Sequence, residues 1–138
     1  MAVSPFQFTE PLMIRSMFEI KRDMKNDDDV KVHLQRNIFR IQETPNLAIV
    51  ELTIQLNKQG DQERENACFV AEIKMQSKFV WIQDLKEDQV KDLLEKNAVA
   101  LLISYARPIL AQMTNASPLP TYHLPFININ ELNNPDQE

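Results

Sequence analysis

The feature that most constrains the fold of this chain is a strict alternation of apolar and polar residues between positions 50 and 56. Val50, Leu52, Ile54 and Leu56 alternate with Glu51, Thr53 and Gln55. Side chains of a β-strand point alternately to opposite faces, so this pattern predicts a strand with one buried side and one solvent-facing side. It is the clearest of four strands that the sequence predicts.

The other three predicted strands cover positions 12–22, 30–35 and 67–75. Polar connections separate the four strands, among them an acidic turn at 26–29 and the stretch 57–66, which contains the only glycine, Gly60. Parallel neighbours would need long crossovers between them. We therefore expect an antiparallel meander, in which each strand pairs with the next one along the chain.

Beyond position 84 the spacing of the apolar residues becomes helical. Asp84 and Glu87 have the spacing of a capping box, and an apolar stripe follows them. A second, longer helical pattern begins near Asn97 and extends to Met113. The predicted fold class is α+β: a four-stranded antiparallel meander sheet with two C-terminal helices packed on one face.

Length and charge restrict the class of protein. The 138 residues fit one domain over positions 1–138, with a frayed tail at 133–138. A formal net charge of −5 provides no basic field, which argues against nucleic acid and anionic membranes as partners. No segment has the pattern of a signal peptide or of a membrane span, and the lone Cys68 fits a reducing compartment, so we expect a cytoplasmic protein without membrane insertion.

No pattern of catalytic or metal-binding residues is visible in the sequence. His33 and His123 have no neighbouring ligands at metal-binding spacing. One glycine is too few for a phosphate-binding loop, and the acidic run at 27–29 lacks the spaced oxygens of a calcium loop. We therefore expect a protein that is not an enzyme and that uses no metal or cofactor.

The candidate binding residues are large apolar side chains on two segments that are expected to be irregular. Phe79 and Trp81 follow the fourth predicted strand, and Leu119, Tyr122, Leu124 and Phe126 lie in the proline-rich segment after the second helix. If the two segments face each other, these side chains line an apolar groove that accepts extended peptide. The alternative is that the same side chains fill the ends of the core.

Several segments resemble the SecB family in order and spacing. The run at 102–107 is similar to that family's Leu-Phe-Pro-Tyr-Ala-Arg helix motif. Residues 118–120 are similar to its Phe-Pro-bearing loop, and residues 124–132 to its segment Leu-Ala-Pro-Val-Asn-Phe-Asp-x-Leu. Upstream, residues 65–73 resemble its fourth strand and residues 30–34 its second, so the resemblance covers most of the chain from about Val30 onward.

The resemblance implies a specific biological role. SecB is a tetrameric chaperone that keeps secretory precursors unfolded and passes them to the SecA motor, and its fold is a four-stranded antiparallel sheet with two helices. In that family an outer sheet face contacts SecA, and Val70 and Glu72 match residues of that surface. We therefore expect a chaperone that binds unfolded or precursor polypeptides in an apolar groove for protein export, as a dimer or tetramer, with SecA as a candidate partner.

Two other functions are compatible with the sequence. The first is an adaptor module on the same fold that binds one specific protein partner, such as a toxin–antitoxin component. The second is a protein that binds a small ligand in the same groove. An adaptor would capture a single stoichiometric partner, and a small-ligand protein would enclose a compact apolar pocket.

Overall fold

The computed structural model describes residues 2–82 and 84–132. Its main antiparallel sheet contains β1 (Phe6–Phe8), β2 (Leu12–Ile20), β3 (Val32–Ile41), β4 (Thr44–Leu56) and β7 (Phe69–Trp81), and β5 (Lys58–Gln59) pairs with β6 (Gln62–Glu63) in a small hairpin. Helical structure follows the last strand, which confirms the α+β class. The sheet has five strands and not the predicted four, and the additional strand is β1. The tail predicted to fray, residues 133–138, lies outside the described residues.

The order of the strands differs from the predicted meander. From one edge to the other it is β3, β4, β7, with β2 and β1 side by side along the far edge of β7. Residues 21–31 must therefore cross three strand spacings, or about 15 Å, which a connection of this length spans easily. The meander prediction was wrong because alternation identifies strands but does not identify their partners.

The inner face of the sheet is built on β4 and β7. Ala48, Val50, Leu52, Ile54 and Leu56 of β4 are each 0% exposed. Opposite them, β7 contributes Ala71, Ile73, Met75 and Phe79 to the same face. The alternation that predicted the central strand thus corresponds to a face that is fully removed from water.

One helical segment, and not two, covers this face. It runs from α1 (Glu87–Asp92) through a π-helical turn (Leu93–Asn97) into α2 (Ala98–Asn115). Asn97 was expected to cap a new helix, but its φ of −67° and ψ of −41° are helical, and its side chain forms no cap. The two-helix prediction was wrong because no glycine or proline separates the two patterns, and a π-turn absorbs the one-residue mismatch between them.

A buried arginine connects the edge of the sheet to the helical layer. Arg36 of β3 is 7% exposed, and its guanidinium donates to the carbonyl of Glu95 in the π-turn at 2.7 Å. It also reaches the carbonyls of Ile129 and Leu132 at 3.4 and 3.3 Å. A buried cation is tolerated when carbonyl oxygens accept its hydrogens, so Arg36 joins β3, the π-turn and the C-terminal segment.

The inner face generates a test of the fold. Leu52→Ala should lower the free energy of unfolding by about 2–5 kcal/mol, because it removes buried methyl groups and leaves a cavity. Leu12→Ala removes the same atoms from an edge side chain that is 60% exposed, and should change stability by no more than about 0.5 kcal/mol. Urea denaturation of both variants measures the difference, and equal losses would contradict the assigned inner face.

Candidate functional site

The six candidate groove residues do not meet in one groove. Phe79 and Trp81 lie within β7, and not after it, on the inner face of the sheet. The ring of Phe6 on β1 stacks against both, with centroids 5.5 Å from Phe79 and 6.0 Å from Trp81. Both side chains are therefore covered by β1, the strand that sequence analysis missed.

The four candidates in the proline-rich segment have different environments. Leu119 and Leu124 are buried against the core, and Tyr122 is half-buried, which raises the pKa of its hydroxyl. Phe126 is 97% exposed. The guanidinium of Arg107 lies 5.6 Å from the Phe126 ring and donates to the carbonyls of Leu124 and Pro125. Core packing thus accounts for four of the six, while Phe126 is held on the surface.

An apolar groove does exist, but mostly other residues form it. It has a volume of about 460 Å³ and lies between the β2–β3 connection and the proline-rich segment. Its lining consists of Ile20, Arg22, Asp23, Met24, Lys25, Asn26 and Asp28 on one wall and Pro118, Leu119 and Pro120 on the other. Ile20 and Met24 are among the exposed large apolar side chains of the chain. The groove thus combines apolar surface with a charged rim.

The first wall is fixed by an ion pair. Both terminal nitrogens of Arg22 donate to the carboxylate of Asp28, at 2.8 and 2.6 Å, and one also donates to the carbonyl of Asn66 at 2.7 Å. Asp28 accepts a further hydrogen bond from the backbone of Lys25 at 2.6 Å. The hydrogen bond from Arg22 holds the pKa of the Asp28 carboxyl far below its usual range, with a smaller contribution from the Lys25 amide.

The second wall is fixed by two hydroxyl groups at the end of α2. Thr114 is buried, and its Oγ1 accepts the backbone N–H of Tyr122 at 2.7 Å. Ser117 Oγ donates to the carbonyl of Thr114 at 2.6 Å and accepts the backbone N–H of Leu119 at 3.1 Å. These bonds hold residues 117–122 in place without regular secondary structure, so the prolines present their rings to the groove.

The groove suits extended polypeptide better than a small ligand. It is only partly enclosed, whereas small ligands occupy pockets that enclose most of their surface. Pro118 and Pro120 have no N–H groups to satisfy, so this wall offers mainly apolar contact. Apolar contact requires no particular hydrogen-bonding partner, so such a surface accepts many sequences.

The sequence contained only part of the signal for this site. Of the six candidate residues, Leu119 lines this groove, and its role in binding stays a prediction. Ile20 was assigned to the predicted strand 12–22 and Met24 was assigned to no element, because neither position carries a local pattern that indicates binding. They form a wall because residues 21–31 pass the proline-rich segment on the way from β2 to β3, and that course follows from a strand order that alternation cannot predict.

The predicted partner surface around Val70 and Glu72 lies on the outer face of β7 and is covered. Val70 is 0% exposed and Glu72 is 6% exposed. The β5–β6 hairpin folds over this end of the sheet, and β5 contacts β3, β4 and β7. The hairpin thus covers the end of the outer face that carries Val70 and Glu72.

Polar contacts hold the hairpin in place. The amide of Gln55 bonds to both backbone groups of Gly60 and to the Glu72 carboxylate. Arg15 and Lys58 also lie 2.7 and 3.8 Å from the Glu72 oxygens. The hairpin is entered through Asn57 and turns at Gly60, both with left-handed φ values of 58° and 61°, which glycine and asparagine adopt most readily.

Neither metal ligands nor a membrane span are found in the described part of the chain. No group of three or more His, Cys, Asp or Glu side chains within residues 2–82 and 84–132 is arranged to hold a metal ion. No described helix is long and apolar enough to cross a bilayer. Cys68 is a buried free thiol.

Comparison with known proteins gives a family and a fold. A family model described as "SecB: Preprotein translocase subunit SecB" matches residues 14–138. A solved structure of a SecB-like chaperone from Mycobacterium tuberculosis, in complex with a peptide from the HigA1 antitoxin, aligns with a TM-score of 0.68 and 15% identity, covering 89% of this chain and 91% of that one. That likeness shows a SecB-like fold.

A second solved structure, of a protein of unknown function from Streptococcus agalactiae, aligns with a TM-score of 0.48 and 13% identity, covering 91% of this chain and 100% of that one. No curated protein sequence matches the chain.

The Arg22–Asp28 pair predicts how stability depends on pH. Because the pKa of Asp28 is lowered on folding, its stabilisation is complete above the unfolded value of about 3.8 and is lost as the pH falls below it. Asp28→Asn should therefore flatten the decline of stability below about pH 4. Asp27→Asn, at an exposed neighbour, should leave that decline unchanged. Urea denaturation between neutral and acidic pH provides the measurement, and identical profiles for the two variants would refute the role of the pair.

Proposed function

We propose that this protein, which belongs to the SecB family, is a chaperone that binds unfolded segments of other polypeptides in the groove between residues 20–28 and 118–120. The observation that supports this most directly is the groove itself. The wall formed by Pro118, Leu119 and Pro120 is apolar, the groove is partly open to solvent, and both walls are held by hydrogen bonds. A preformed apolar surface lowers the entropic cost of binding a flexible chain.

The groove chemistry agrees with binding of many sequences. An extended segment would bury its apolar side chains against Ile20, Met24 and Leu119, while Arg22 and Lys25 at the rim remain hydrated. Burial of apolar area contributes about 25 cal/mol per Å² and does not depend on side-chain identity. Phe126, exposed on the neighbouring segment, offers a further apolar contact.

Family membership supports a role in protein export in the cytoplasm, with SecA as the receiving partner. In this proposal SecA contacts the surface of Val70 and Glu72. Because the β5–β6 hairpin covers both side chains, the contact requires the hairpin to move aside. The hairpin is held by polar contacts of the buried side chains of Gln55 and Glu72, and water can replace these hydrogen bonds when the hairpin moves away.

The alternative is an adaptor that binds one specific partner. It is favoured by one observation, that a structural neighbour is a SecB-like chaperone in complex with a peptide from an antitoxin. Affinity purification separates the two functions: an adaptor would retain a single protein at a fixed stoichiometry, whereas a chaperone would retain many unfolded proteins in substoichiometric amounts.

We also propose that the chain functions as a homo-oligomer, either a dimer or a tetramer. Large apolar side chains remain exposed on the single chain, among them Phe126, Ile14 and Met13 at 97, 47 and 45%. Exposed apolar groups of this kind are typically covered by association. Multi-angle light scattering should give a mass two or four times that of one chain, and a monomer at all concentrations would contradict this proposal.

The chaperone activity can be tested at the groove. Met24→Glu places a charge on an exposed groove side chain without disturbing the core. It should reduce suppression of aggregation of a chemically unfolded client by at least about fivefold, because about 1 kcal/mol or more of apolar contact is replaced by a charge that must be desolvated. Light scattering of the client at stoichiometric ratios measures the effect.

The matched control is Ile82→Glu, which introduces the same charge at an exposed apolar residue outside the groove. It should suppress aggregation as well as the unaltered protein. Thermal unfolding of both variants verifies that the fold is retained. The groove proposal is overturned if the two variants behave alike, and the chaperone proposal is overturned if the unaltered protein protects none of several clients.

A further inference from the structure

The β5–β6 hairpin covers part of the outer sheet face without contributing to the core. Residues 58–66 contain no apolar side chain. Positions 59–66 are exposed, whereas the side chain of Lys58 lies against the sheet and is 11% exposed. Burial of apolar groups is the main force that holds a segment on a protein surface. The hairpin therefore depends on polar contacts to stay on the face that it covers.

The chain is fixed at both ends of the hairpin. The amide side chain of Asn57 donates to the carbonyl of Phe69 at 2.9 Å and accepts the backbone N–H of Lys31 at 3.0 Å. At the other end, the carbonyl of Asn66 accepts a hydrogen bond from Arg22 at 2.7 Å. Both asparagines have left-handed φ values, 58° and 62°. The chain between them thus begins and ends at fixed points, where it turns away from its neighbours.

The hairpin has open space on both sides. A cavity of about 250 Å³ extends from it toward the end of β2 and has Val70 in its lining. A second cavity, of about 420 Å³, extends toward the start of β3 and is lined in part by His33. Glu63 and Arg64 line both cavities. At the tip, no atom lies within 4 Å of the place where a Cβ on Gly60 would stand. The hairpin can therefore move sideways without a steric clash.

The contact between the hairpin and the sheet is centred on the buried carboxylate of Glu72. Arg15 lies 2.7 Å from one of its oxygens, and the ammonium of Lys58 lies 3.8 Å from the other. The Gln55 amide connects the same carboxylate to the backbone of Gly60. A buried carboxylate needs cations or hydrogen-bond donors around it, and Lys58 supplies one of these cations.

The Lys58 ammonium is a weak partner for this carboxylate. A separation of 3.8 Å permits electrostatic attraction but no hydrogen bond. An ammonium or guanidinium that approached to hydrogen-bonding distance would interact more strongly with Glu72. The position of Lys58 is therefore one that a basic side chain from another protein could take over.

We propose that the β5–β6 hairpin is a built-in competitor of the partner that binds at Val70 and Glu72. The partner displaces the hairpin and places a basic side chain against Glu72 in the position of Lys58, while opening also uncovers Val70 for apolar contact. This inference rests on the proposed partner contact at these two residues and adds its regulation. The observed affinity is lower than the intrinsic affinity by the fraction of molecules in which the hairpin is open.

Removing the competing charge tests the proposal. Lys58→Met keeps an unbranched side chain of similar length and removes the ammonium. Purified SecA, the proposed partner, should bind this variant about threefold or more tightly than it binds the unaltered protein, because the closed state loses an ionic contact. Isothermal titration calorimetry measures the two dissociation constants.

The matched control is Lys91→Met, which makes the same substitution at an exposed position of α1, on the opposite side of the sheet. It should bind SecA as the unaltered protein does. Thermal unfolding shows whether both variants retain the fold. Weaker binding by folded Lys58→Met would show that Lys58 itself contacts the partner, which overturns the proposal.

Hydrogen exchange of the unaltered protein provides a second test. The backbone N–H of Gly60 donates to the Gln55 side chain at 2.9 Å while the hairpin is closed. Saturating SecA should make exchange of the segment 58–64 faster, because displacement removes this acceptor. Mass spectrometry of proteolytic fragments measures the exchange. A partner that docked on top of the hairpin would instead slow it, and slower exchange overturns the proposal.

The outcomes separate failure of this inference from failure of the proposed partner contact. If SecA binds the unaltered protein and Lys58→Met equally and exchange of the segment 58–64 does not change, the competitor role is overturned and SecA binding stands. If SecA binds neither protein, the SecA contact and the competitor role are both overturned. Suppression of client aggregation depends on the groove, and neither result alters it.

Discussion

Burial of one face of β4 and β7 is the constraint on which the rest of the structure depends. Leu52 and Met75 pair at the centre of that face, and the helical segment from Glu87 to Asn115 packs over it. Once this face is covered, the position of the helix end is fixed, and with it the segment that carries Pro118. Arg36 extends the same arrangement to the edge of the sheet, because its guanidinium connects β3 to the π-turn and the C-terminal segment.

The two faces of the sheet consequently have different properties. The inner face is dry and fixed, whereas the outer face is divided between an end that the β5–β6 hairpin covers and an end with exposed apolar side chains such as Phe39 and Val80. Polar bonds around Glu72 hold the hairpin, and their loss would be offset largely by water. A fold of this kind can therefore change one surface without disturbing its core.

The proposed binding groove results from how the chain is connected. The groove exists because residues 21–31 cross from β2 to β3 and pass the proline-rich segment, with Arg22 and Asp28 fixing the crossing. The same crossing places β3, and not β2, at the far side of β4. The position of the groove thus follows from the order of the strands.

The sequence by itself determined four strands of the main sheet and the apolar stripe of the helix, because these follow from the period at which side chains alternate within a segment. It also contained the family motifs at 102–107 and 124–132. Only the tertiary structure decided that β2 pairs with β7, that Phe79 and Trp81 lie beneath Phe6, and that Ile20 and Met24 face Leu119. Pairing and burial depend on contacts between residues far apart in the chain, and the local period that predicts a strand or a helix carries no information about them.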